Sequence, residues 1–126
     1  MEKKNEVLDL SFEFALGVIQ YCDLLETEKK YVLARQLLRS GTSIGANIRE
    51  AQNAESQTDF VHKLKIAAKE TDETLYWLEL GQKSKNYPNP ENLLKQVNSI
   101  RKLLNTIIGT IKRKKMSKCE DVRMRG

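Results

Sequence analysis

The sequence predicts an all-α protein, an antiparallel up-and-down four-helix bundle, and three observations lead there. Apolar residues between positions 6 and 115 recur at steps of three and four, the spacing that gathers a stripe on one helix face. Only two prolines and six glycines interrupt the 126 residues, too few for an all-β chain with a turn about every ten residues. The clearest punctuation, Tyr87-Pro88-Asn89-Pro90-Glu91, separates two long periodic stretches. With 40% hydrophobic and 31% charged residues, the chain is one domain's worth and too well patterned to be disordered.

Helix one follows from Val7, Leu8, Phe14, Ala15, Val18, Ile19, Cys22 and Leu25. Thr27 is then expected to cap the next helix, with Glu28 in its first turn where a negative charge suits the dipole. Helix two carries Tyr31, Ala34, Leu37 and Leu38 before meeting Ser40-Gly41-Thr42-Ser43-Ile44-Gly45, which is poor in helix formers. That stretch is either a loop between two short helices or one helix bent near residues 40–45. Phase favours the bent helix, because Leu37, Gly41, Ile44, Ile48 and Ala51 stay on one face. Gly41 and Gly45 would let a neighbouring helix approach closely.

Ser56 or Thr58 can cap helix three, with Asp59 in its first turn. Its stripe runs Val61, Leu64, Ala68, Thr71, Leu75 and Leu78, and the helix is expected to persist to about Lys85. Asn89 can cap helix four, Pro90 has the φ suited to a first helical position, and Glu91 meets the dipole. Leu93, Leu94, Val97, Ile100, Leu104, Ile107, Ile108 and Ile111 form its buried face. A bundle of this size buries only around two thirds of its unfolded surface. Tyr76, Trp77 and Leu80, with apolar surface left over, are therefore candidates for a subunit interface.

The charge is unevenly placed. Twenty-two Lys+Arg against 17 Asp+Glu give a net +5, yet residues 1–111 hold 15 of each sign. Lys112, Arg113, Lys114, Lys115, Lys118, Arg123 and Arg125 stand against Glu120 and Asp121 in the last 15 residues. The chain divides into a neutral bundle, residues 1–111, and a basic helix end and tail, residues 112–126. Only the second has an electrostatic reason to meet phosphate, so Lys112, Arg113, Lys114, Lys115 and Lys118 are the candidate nucleic-acid contacts. The same cations would also complement the dipole at a helix end. Cys22 and Cys119 are far apart and have no partners at metal-ligand spacing, so neither zinc nor a disulfide framework is indicated. No apolar run of membrane-spanning length occurs. A soluble cytoplasmic protein is expected, without membrane, cofactor or metal.

Two stretches resemble a known family. Leu38-Arg39-Ser40-Gly41-Thr42-Ser43-Ile44-Gly45-Ala46-Asn47-Ile48-Arg49-Glu50-Ala51 resembles the helix-two signature of the small four-helix bundle proteins encoded in intervening sequences of bacterial 23S rRNA genes. Phe60, Lys63, Leu64 and Ala67, followed by Lys69-Glu70-Thr71-Asp72-Glu73-Thr74-Leu75-Tyr76-Trp77-Leu78, look like its helix-three block. The match spans about residues 8–111 and leaves the basic tail outside. The resemblance implies a bundle that assembles into a ring-shaped homopentamer, with rRNA as a partner linked through gene location. A related group comprises accessory proteins of diversity-generating retroelements, but the strongly basic body expected of that group is absent here.

Asn47, Glu50, Glu70 and Glu73 are the polar residues inside the two motifs. Carboxylates one turn apart could hold a divalent cation, but bundles that do so add a Glu-x-x-His on facing helices, and none occurs. Pairing across helices with Arg39, Arg49 or Lys69 is the expected role. Tyr76 and Trp77 could stack bases, yet Leu75, Leu78 and Leu80 surround them without interleaved cations, which favours packing. One histidine, His62, and two separated cysteines assemble no nucleophile and base set. The expected function is therefore non-enzymatic: self-assembly with rRNA or other nucleic acid as partner, or alternatively an adaptor or scaffold for a protein partner.

Overall fold

The computed structural model describes the backbone of residues 5–125 and the side chains of residues 5–115. It contains α1 (Glu6–Thr27), α2 (Tyr31–Ala51), α3 (Gln57–Lys83) and α4 (Glu91–Arg125), and no strand among the described residues. Each helix packs on its neighbours in the chain and α4 closes back onto α1, while across the diagonals the helices meet only through core side chains. This is the up-and-down bundle.

Local chemistry sets the helix ends. Asn5 caps α1, its side chain accepting from the Leu8 N–H, and Ser56 caps α3 by accepting from the Asp59 N–H at 3.0 Å. Asn89 Oδ1 accepts from the Glu91 N–H at 3.1 Å, and the Pro90 carbonyl takes the first bond of α4 from Leu94. Thr27 does not cap α2. It is the last residue of α1, and its hydroxyl donates to the Asp23 carbonyl. Lys30 stands at the N-cap of α2 without a side-chain bond. The chain leaves α1 through a Schellman turn, with Lys30 N–H on Leu25 O, Lys29 N–H on Glu26 O, and Lys29 at φ 63°. That reversal consumes the residues a cap would have needed. α3 stops at Lys83, two residues short of the expected end.

α2 runs unbroken through residues 40–45, so the loop alternative fails. Thr42 and Ser43 return their hydroxyls to the Leu38 and Arg39 carbonyls at 2.7 and 2.6 Å, which satisfies them inside a helix. Gly41 and Gly45 lie where α1 approaches most closely. A Cβ at Gly41 would stand 2.9 Å from both methyls of Val18, and one at Gly45 would stand 3.4 Å from the Ser11 carbonyl.

Phe14, Val18 and Leu25 of α1 meet Leu37, Ile44 and Ile48 of α2, Leu64 and Leu78 of α3, and Val97, Ile100 and Leu104 of α4 in one core. Each such burial contributes roughly 1.5–3 kcal/mol before ordering costs. Ile19, expected in that core, is exposed, as are Tyr31 and Leu38. Tyr21 takes the inward position instead and donates to the Pro88 carbonyl at 2.7 Å, tying α1 to the α3–α4 connection. Ser40 and Thr74 are wholly buried between α2 and α3, their hydroxyl oxygens 2.9 Å apart. Among the described residues, no helix is long and apolar enough to cross a membrane.

Candidate nucleic-acid interface

α4 has 35 residues against 27 in α3 and passes from the neutral to the basic part of the chain without interruption. Lys112, Arg113, Lys114 and Lys115 are all exposed on it. The Arg113 guanidinium donates to Thr110 Oγ1 at 3.3 Å, which holds it along the helix surface. The side chain of Lys118 lies outside the described residues. Lys112 and Lys115 face the beginning of α3, where they line a cleft of about 340 Å³ together with His62 and Lys65; Val61 and Ile111 supply its apolar lining.

His62 and Lys65 had no role in the sequence reading. Their signal is weak there, since a histidine and a lysine three residues apart are ordinary on a solvated helix face. They gain meaning only from the antiparallel register of α3 and α4, marked by Arg101 Nε at 3.3 Å from Asp72 Oδ1. About two turns from Asp72 towards the start of α3 lies Lys65, and about three turns from Arg101 towards the end of α4 lies Lys112.

The carboxylates of the polar motif, Glu50, Glu70 and Glu73, serve the contact between α2 and α3. Arg39 bridges Glu70, at 3.4 Å, and Glu73. Glu50 takes Lys63 at 3.0 Å, a partner not foreseen. Asn47 stays within its own helix and donates to the Ser43 carbonyl at 2.9 Å. Arg49 lies over the Phe12 ring, 6.0 Å from its centroid, and contributes to none of these bridges. Each carboxylate thus meets a cation of the facing helix. Exposed pairs of this kind stabilise by about 0–1 kcal/mol and fix orientation more than they add stability.

Tyr76 and Leu80 stand on the outer face of α3, 56% and 42% exposed. Trp77 is half-buried against the core of its own bundle, with Tyr76 edge-on to it at 5.1 Å; its Nε1 is shielded and has no acceptor. A second apolar stripe, not foreseen, runs along α1 through Phe12, Leu16 and Ile19, all exposed. Its i, i+4, i+7 spacing is legible in the sequence, but α1 carries two apolar stripes and periodicity does not say which faces inward.

No group of three or more His, Cys, Asp or Glu positioned for a metal occurs among the described residues. Burial pushes the Cys22 thiol up to about 12, with the Glu26 and Asp23 carboxylates adding to the shift. It donates to the Ala34 carbonyl at 3.3 Å. At neutral pH it is therefore a protonated packing group and not a nucleophile.

The family model described as "23S rRNA-intervening sequence protein" matches residues 3–106, so residues 107–126, including every candidate tail cation, lie outside it. The chain is also similar to a crystal structure of a protein of unknown function from the S23 ribosomal protein family of Bacteroides thetaiotaomicron. The two are 47% identical, with a TM-score of 0.77, over 81% of this chain and 97% of that one. No curated protein matches the chain significantly. The two motifs on α2 and α3, the four-helix architecture and the extent of the family match agree: the chain belongs to the 23S rRNA-intervening sequence protein family.

Proposed function

We propose that this protein is a non-enzymatic homo-oligomer, a ring of five, that holds nucleic acid, with 23S rRNA as the foremost partner, against the basic end of α4. The observation that carries the reading is the distribution of charge: a bundle with equal numbers of acids and bases continues into a helix whose end concentrates the whole +5. One such helix end attracts phosphate weakly, but a ring presents several together and gains by avidity.

Assembly is supported by the apolar groups left outside the core, Tyr76 and Leu80 on α3 and Phe12, Leu16 and Ile19 on α1. Two different patches on one chain suit the head-to-tail contact that closes a ring. The same patches support a second reading, a scaffold for a protein partner, if the chain proves monomeric. Light scattering on Leu80→Asp is expected to give smaller assemblies than the parent; equal mass in both would remove this face from the interface.

The nucleic-acid reading is tested by titrating a labelled 23S rRNA fragment with the full chain and with residues 1–111. Binding is expected to be lost from the shortened chain. Equal affinity in both would overturn the reading.

A further inference from the structure

We propose that the cleft between the start of α3 and the end of α4 is a phosphodiester site, in which His62 and Lys65 act together with Lys112 and Lys115. The inference rests on the nucleic-acid reading above and deepens it. It moves the contact from a single helix end to a surface built by two helices, and it extends the binding residues into the family-matched body of the chain.

The lack of an acid at the cleft supports it. Four cations elsewhere among the described residues meet carboxylates, Arg39 on Glu70 and Glu73, Lys63 on Glu50, Lys95 on Glu91, and Arg101 on Asp72, and other basic side chains stand without such a partner or, like Lys30 and Arg49, over aromatic rings. Neither His62, Lys65, Lys112 nor Lys115 enters such a pair among those residues, and no acidic side chain is among the described residues that line the cleft. Three ammonium groups and an imidazole around one cleft gain nothing from one another. A phosphate between them replaces like-charge repulsion with charge-assisted hydrogen bonds.

Position supports it as well. Gln57 and Thr58 belong to the first turn of α3 and border the same cleft, so the positive end of that helix adds to the field of the lysines. Val61 and Ile111 provide an apolar surface of the kind a sugar can rest on. The exposed Arg113 and Lys114 continue the positive surface beyond the cleft. A row of cations extending past one phosphate pocket fits successive phosphates of a strand better than a single free anion.

Fluorescence anisotropy with a labelled RNA duplex tests the site, using full-length protein and variants whose helicity is checked by circular dichroism. The double variant His62→Gln with Lys65→Gln is expected to bind about tenfold more weakly, with a salt slope shallower by about 1. A chain ending at residue 115 should stay within about threefold of the parent, because it keeps all four cleft residues. Lys85→Gln, beyond the far end of α3, should change neither quantity. Inorganic phosphate at matched ionic strength should leave the RNA bound; displacement by it would assign the cleft to a free anion and overturn the proposal. Unchanged affinity and slope in the double variant, with binding still lost from residues 1–111, would overturn the cleft while leaving the nucleic-acid reading intact. Absence of RNA binding by the parent at low salt would overturn both.

Discussion

Gly41→Leu is expected to lower the stability of the bundle by about 2–3 kcal/mol, read as a lower denaturation midpoint with the slope unchanged. At this position α2 crosses α1 with no room for a side chain, since a Cβ alone would sit 2.9 Å from both methyls of Val18. Val18 is fully buried and, being β-branched, has little rotamer freedom with which to yield. Gly41→Ala sets two effects against each other: a helix-propensity gain of about 1 kcal/mol and the clash. Combining it with Val18→Ala should cost less than the sum of the two single changes, because the second removes the methyls the first collides with. A Gly41→Leu variant with the parent's midpoint would mean that the helices are further apart than described.

That close approach was legible because α2 keeps one phase from Leu37 to Ala51, and only the small residues Ser40, Gly41 and Gly45 interrupt the bulk of its inner face. Periodicity reported the phase correctly and propensity did not, since Thr42 and Ser43 satisfy their hydroxyls on the preceding turn. Helix boundaries were legible where side chains make them, at Ser56 and Asn89. They were not where backbone makes them, at the Schellman turn after Thr27, which uses Lys29 in a left-handed conformation and carries no glycine to announce it. On α1, Ile19 and Tyr21 exchanged roles because a tyrosine whose hydroxyl reaches a carbonyl at 2.7 Å can be buried, while the outward stripe had equally good spacing.

The candidate site divides along the same line. The exposed run Lys112–Lys115 needed only composition and the length of α4. Arg39 opposite Glu70 and Glu73 followed from two motifs on neighbouring helices. His62 and Lys65 depended on which turn of α3 stands beside which turn of α4, and no pattern within either helix contains that register.

The salt dependence of RNA binding by the full chain bears most directly on the claim that cations at the end of α4 hold phosphate. If five tail charges, Lys112, Arg113, Lys114, Lys115 and Lys118, contact a duplex, the slope of log affinity against log salt should be roughly −4 to −5 per engaged subunit. Between 50 and 200 mM salt that is a loss of roughly 500-fold for one subunit. A slope of that size, abolished in residues 1–111, is the predicted result; binding that is indifferent to salt, or that survives loss of the tail with its slope intact, would contradict it.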